Sequence, residues 1–163
     1  MATVHAGRFS ADQGADGKVL FLIGMRINRV WQFWKWLPVF TAMPRMIAEL
    51  MKNRDLGLVG RPRTFVSGRV VLVWQYWSSF EQLEAYARDN TRAHLPAWRA
   101  FNRSIRDNGS VGIFHETYAV SAGAYETIYG NMPPFGLGKV AGLIPATGKR
   151  NEARSRMKAA SEG

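Results

Sequence analysis

The chain has 163 residues, 47% of them hydrophobic, and no cysteine. That length suits one folded domain with a sizeable core, and the lack of cysteine excludes disulfides, iron–sulfur clusters and thiolate-held metals. The formal net charge of +10 admits nucleic acid, an anionic membrane or an acidic ligand, but no nucleic-acid motif accompanies it, so no nucleic-acid partner is expected.

No apolar run is long enough for a transmembrane segment, and the N-terminus lacks the apolar stretch of a secretory signal. A cytoplasmic protein is expected. Residues 1–17 are small, polar and Gly-rich, and read as a flexible arm. The run KVLFLIGMRIN over Lys18–Asn28 reads as a strand covered on both faces. Gly24 inside it marks a bulge or the close approach of something bulky.

RVWQFWKWL over Arg29–Leu37 is dense in aromatics. Pro38 and Pro44 interrupt the pattern after it, so a short aromatic helix, a turn and a second helix over about Met43–Asn53 are expected. Met43, Met46, Ile47, Leu50 and Met51 share one face of that second helix. Trp31, Trp34, Trp36 and Phe40 form a cluster open to three readings. They are core or dimer contacts, they flank a flat aromatic ligand, or they enter a membrane surface.

Arg63–Phe65 and Arg69–Trp77 read as two strands around a turn at Ser67-Gly68. Ser78 is the expected N-cap of a helix over Phe80–Arg88, with Glu81 completing a capping box. Asp89-Asn90-Thr91 ends that helix. Pro96 suits the first turn of another, which runs to about Asp107. Asn108-Gly109 turns the chain into a last strand, Val111–Val120.

Strand, helix, strand, strand, helix, strand is the order of a ferredoxin-like α+β fold, βαββαβ, with an antiparallel sheet and helices on one face. The strands look apolar on both faces, so the other face needs a cover. A second copy is the economical one, which makes the protein a homodimer and a dimeric α/β barrel. The expected division is an arm over 1–17, the ferredoxin-like domain over 18–121, a Gly/Pro-rich extension over 122–147 that wraps over the barrel or the partner, and a basic flexible tail over 148–163. Five cations, Lys149, Arg150, Arg154, Arg156 and Lys158, crowd that tail, which reads as solvated.

Two of the three histidines are candidates for chemistry. From His94, the helical offsets four, seven and eleven fall on Trp98, Phe101 and Ile105, an apolar stripe facing the sheet. His115 shares a strand face with Val111 and Ile113, while Phe114, Glu116 and Tyr118 take the other. Both histidines are thus directed at packed regions. Each is either a hydrogen-bonded core residue or a functional group: an axial haem ligand, or an acid/base near neutral pH. Two histidines without a carboxylate cluster are too few for a structural zinc site. His5 lies in the arm and carries no weight. Glu116 is expected to pair with an arginine. No Walker loop, dinucleotide fingerprint or nucleophile elbow is present.

SFEQLEAYARDNTRAHLPAWRAFN, VGIFHETYAV and YETIYGNMPPFGL together resemble the C-terminal half of aldoxime dehydratases, haem lyases of the dimeric α/β-barrel superfamily. The match spans about residues 78–138. The whole chain also resembles a small bacterial family of monooxygenase-like proteins. The resemblance implies haem b as cofactor, with His94 as proximal ligand to the iron, Trp98 and Phe101 beside the cofactor, and His115 as distal acid/base. The dehydratases also use an arginine from a part that this chain lacks, and Arg26 on the first strand is its candidate replacement. The implied function is a haem-dependent lyase or oxidoreductase acting on a small molecule with an N–O or O–O bond. The alternatives are a cofactor-independent monooxygenase on an aromatic substrate, or a binding module without chemistry.

Overall fold

The computed structural model describes residues 2–12, 14, 16–92, 98–99 and 109–158. Two compact units make up the chain. One comprises residues 19–118, and the other combines residues 1–18 with residues 119–163.

The first unit is built on four strands. β2 (Lys18–Ile27), β3 (Leu58–Ser67), β4 (Val70–Trp77) and β5 (Val111–Val120) form one sheet in the order β3-β4-β2-β5. β4 lies antiparallel to both β2 and β3. This is the ferredoxin-like strand order, and the fold is α+β. β3 and β4 meet in a hairpin whose two turn residues are Gly68 and Arg69; Ser67 pairs with Val70. Gly68 has φ +55°, a left-handed conformation that glycine adopts without steric cost.

Alternation sorts the sheet into two faces. Val19, Phe21, Ile23 and Met25 pair with Trp77, Gln75, Val73 and Val71, and these eight face α1 (Phe33–Lys52). Val19, Trp77 and Leu58 bury themselves with Leu50 of α1 and with Leu83 and Tyr86 of α2 (Phe80–Arg88). The Trp77 indole N–H donates to Gln75 Oε1 at 2.9 Å, which pairs the buried indole N–H. The opposite face carries Leu20, Leu22, Leu72, Trp74 and Tyr76 from the two central strands.

α1 is one continuous helix of 20 residues with Pro38 and Pro44 inside it. The expected break into two helices is therefore corrected. Each proline removes one intrahelical hydrogen bond, a cost of roughly 3 kcal/mol for an interior site. Burial of Trp36, Val39 and Leu50 against the sheet outweighs it. The start of α1 is held from the sheet side. The Ser110 carbonyl accepts from the Asn28 and Arg29 N–H groups at 3.0 and 3.2 Å, and the Ser110 hydroxyl hydrogen-bonds Gln32 Oε1.

α2 spans the expected residues, but its cap is Ser79, not Ser78. The Ser79 hydroxyl accepts from the Gln82 N–H at 3.2 Å. Hydrogen bonds from the Glu81 backbone N–H, and secondarily from the Ser79 hydroxyl, hold the Glu81 carboxyl below its ordinary range.

The second unit contains the segment expected as a loose arm. His5–Ala11 is a strand, β1, at the centre of a three-stranded sheet. It is flanked by β6 (Tyr129–Met132) and β7 (Leu143–Pro145). Its partners come from the far end of the sequence, so no local pattern announces it. Between β6 and β7 lies a short helix, α3 (Gly136–Ala141). Asn131 takes φ +50°, and its side-chain oxygen accepts from the Gly7 N–H at 2.8 Å. The basic tail includes a helix, α4 (Ala153–Lys158). Arg156 is buried, with Nε and Nη2 on Glu126 Oε2 at 2.8 and 2.7 Å. The tail is thus anchored by one of the cations expected to be solvated.

Candidate functional site

A cavity of about 630 Å³ lies between α1 and the face of the sheet that α1 covers. Its floor is Ile23, Met25, Val71, Val73 and Ile113, and its wall is the α1 segment from Trp34 to Ile47. Trp98 lines it as well. The volume is that of a typical small-molecule site. The chemistry of the lining is almost wholly apolar. Thr64 supplies a hydroxyl, and Lys35 and Arg45 supply the charges. Among the described residues, neither cation has a carboxylate partner. A cation beside an apolar void favours a ligand that carries or develops negative charge.

α1 packs on the sheet toward both of its ends, on either side of the cavity. At one end Leu50 and Met51 pack with Val19, Trp77 and Leu83. Toward the other, Trp36 and Val39 pack with Met25, Val71 and Val111. Between them, Ala42 and Met43 face the opening. The Trp36 indole N–H donates to the Val30 carbonyl at 3.0 Å and fixes that end of the helix.

The predicted site residues do not all converge on this cavity. Trp98 lines it and is 40% exposed. His94 and Phe101 lie outside the described residues. His115 continues the strand row of Val111 and Ile113, two positions beyond the cavity floor, but its side chain is exposed rather than packed. Its ring rests against Phe21, centroid to centroid at 5.9 Å. Arg26 belongs to the opposite face of the sheet, in register with Val70. Its guanidinium bonds Asn28 Oδ1, and it does not line the cavity. Among the described residues Glu116 pairs with a tyrosine and not an arginine: the Tyr118 hydroxyl donates to Glu116 Oε2 at 2.5 Å. This hydrogen bond, together with the carboxylate charge, raises the Tyr118 pKa. Among the described residues no cluster of three His, Cys, Asp or Glu side chains could hold a metal ion.

A family model for "Monooxygenase af470-like" proteins matches residues 18–137, well over half of the chain. The chain belongs to that family. The relative "Monooxygenase af470" of Aspergillus fumigatus is 27% identical over 146 residues, which cover 82% of this chain and 50% of the relative. The chain thus spans about half the length of the curated relative it matches. Two solved structures of aldoxime dehydratase share the fold. One, a complex with butyraldoxime, is 19% identical with a TM-score of 0.63, over 79% of this chain and 38% of that one. The other is 20% identical with a TM-score of 0.61, over 90% of this chain and 45% of that one.

In this member of the monooxygenase af470-like family, the sequence reading missed Lys35 and Arg45 as site residues. A signal was present. Between Asp16 and Glu49 the chain has no acidic residue, while it carries several cations and the tryptophans Trp31, Trp34 and Trp36. A long acid-free, aromatic stretch is where an anion-accepting apolar pocket is most easily built.

Proposed function

We propose that the chain is an oxygenase-type enzyme that acts on a small apolar, acidic substrate held between α1 and the sheet. The observation that carries this is the apolar cavity whose charged lining residues are both cations, Lys35 and Arg45. Such a site stabilises an anion formed from a bound aromatic substrate. In the reaction, an activated CH₂ of the substrate loses a proton, and the carbanion reduces dioxygen. One oxygen atom becomes a carbonyl and the other leaves as water. The substrate supplies all four electrons, so no external reductant enters. His115, on the strand row that continues from the cavity floor, is the proton acceptor we assign. The test is oxygen uptake by the purified protein with an electron-rich polycyclic phenol, with quinone formation followed by absorbance. Uptake that is equal with and without protein would sink this reading.

A second reading keeps the implied haem, favoured by the shape and charge of the same site. A haem needs an apolar slot, cations for its two carboxylates and an axial donor. The cavity offers the slot, Lys35 and Arg45 the cations, and Trp98 an aromatic wall; His94 is the assigned axial donor. The described residues supply the slot and the cations, and the axial donor assigned to the group lies outside them. When bound, haem supplies a Lewis-acidic iron for N–O or O–O chemistry, and His115 then holds the proton for the departing oxygen. Haem titration separates the readings. A Soret band that sharpens with protein and is lost in His94→Ala supports haem; an unshifted spectrum removes it.

We also assign a homodimer to the sheet face opposite α1. That face presents Leu20, Leu22, Leu72, Trp74 and Tyr76, with Phe65 and Phe114 38% exposed and Tyr118 48% exposed. Stable pairs bury about 800 Å² per partner, and a contiguous apolar sheet face is suited to that. Leu72→Glu converts a dimer to a monomer in sedimentation equilibrium. A wild-type monomer at all concentrations overturns the assignment.

A further inference from the structure

One exposed side of α1 is apolar where a solvent-facing helix surface is ordinarily polar. Phe33, Leu37, Phe40, Pro44 and Ala48 follow one another at helical spacing and all are exposed. Phe33 is 57% and Leu37 44% exposed, and Trp31 and Trp34 beside them are 68% and 58%. This stripe runs beside the one that packs on the sheet through Trp36, Val39 and Leu50, and two of its members, Phe40 and Pro44, also line the cavity. α1 therefore carries large exposed apolar side chains in addition to those that pack on the sheet. A patch of this kind marks a docking surface.

The composition of the patch selects the occupant. It is rich in tryptophan and phenylalanine, it is flanked by exposed Arg29 and Arg45, and it lies within the acid-free stretch from Gly17 to Ala48. Aromatic and aliphatic groups flanked by cations are the features that seat a helix in the headgroup region of an anionic bilayer. Among the described residues no helix is long and apolar enough to cross a membrane, so α1 would lie along the surface and not span it. The cavity is continuous with this face. Trp34, Pro38, Phe40 and Arg45 line it and are exposed at the same time.

We infer that α1 docks the protein on an anionic lipid surface through Trp31, Phe33, Trp34, Leu37 and Phe40, with the cavity mouth turned toward the lipid. An apolar substrate then reaches the cavity from the bilayer without crossing water. The docking stands apart from the chemistry proposed above, because its test uses no turnover.

The experiment is co-sedimentation of the full chain with vesicles of phosphatidylcholine alone, and with about 30% phosphatidylserine added. The expected result is binding at least about tenfold tighter to the phosphatidylserine vesicles, weakened by salt. Trp31→Ser, Phe33→Ser and Leu37→Ser combined should reduce that binding by about tenfold or more. None of the three lines the cavity. Vesicles with brominated acyl chains should quench the tryptophan fluorescence of the wild-type protein, which decides the matter without any variant. No wild-type binding, no quenching, or equal binding by the triple variant overturns the inference; equal binding would assign the affinity to other cations. Self-association of the wild type that the triple variant abolishes, without vesicle binding, also overturns it and makes the stripe a contact between copies.

Discussion

The ring of Phe114 on β5 lies across Gly24 on β2, so that a Cβ at position 24 would stand 2.6 Å from two ring carbons and 2.6 Å from the Val71 carbonyl oxygen. The ring can turn away; the carbonyl belongs to the neighbouring strand and cannot. Gly24→Ala should therefore destabilise the fold by about 1–3 kcal/mol, as overpacking does. Adding Phe114→Ala should recover only part of the loss. Urea midpoints of the two variants test this, and a neutral Gly24→Ala would show that the strands can part at no cost.

Tyr86 sets an alkaline limit on the first unit. Its hydroxyl donates to Glu49 Oε2 at 3.1 Å from a buried position. Burial, then the Glu49 charge and hydrogen bond, raise its pKa well above the ordinary 10.0. A folded-state pKa raised above the unfolded one gives stability that is complete below the unfolded value and is lost as pH rises beyond it. Melting temperature should fall as pH climbs past about 10. Tyr86→Phe should flatten that slope while costing about 1 kcal/mol at neutral pH. An unchanged slope would place the alkaline transition on another group.

The tie between Arg156 and Glu126 should decide whether the C-terminal helix stays in place. The Arg156 side chain is 5% exposed and that of Glu126 30%, and Arg156 Nη1 also donates to the carbonyls of Arg150 and Asn151 at 2.9 Å. Arg156→Ala is expected to cost about 2–4 kcal/mol, below the full value for a buried pair because Glu126 keeps some water. Arg156→Lys should recover little, since an ammonium cannot reproduce the two-pronged contact. Hydrogen exchange of the amides over 143–158 reads the effect locally.

Filling the cavity should separate binding from folding. Ala42 faces the void from α1, and Ala42→Trp places an indole where a ligand would lie. Affinity for an apolar anionic fluorescent probe should drop by at least about tenfold, with the melting temperature within a few degrees of wild type. If the probe binds as before, it sits elsewhere. Lys35→Gln should weaken the anionic probe and spare a neutral analogue, which ties the charge to the site.

The pattern of one residue in two, and of one in three or four, made much of the first unit legible in the sequence. Phe80–Arg88 and Val111–Val120 form over the residues their periodicity indicated. Gly24 announced a close approach, and Phe114 supplies it. Local signals failed where distant parts decide. Pro38 and Pro44 argued for a break that burial along α1 overrides. His5–Ala11 carries no strand signature because its ladder partners arrive more than a hundred residues later. Of the aromatic cluster, Trp36 packs inward while Trp31 and Trp34 stand in solvent, a division that depends on how the helix is rotated against the sheet. The cavity was illegible for a simpler reason: a void is bounded by the same residue types as a filled core.

The central position of β1 also sets a clock. Phe9 pairs with Tyr129 on one side and with Pro145 on the other. At a synthesis rate of about 5–20 residues per second, the first strand waits on the order of ten seconds for its neighbours to leave the ribosome. Residues 19–118 emerge complete in the meantime. β1 is thus made well before both of its partners, and until they arrive its backbone amides are open to whatever chaperone or stray edge is nearby.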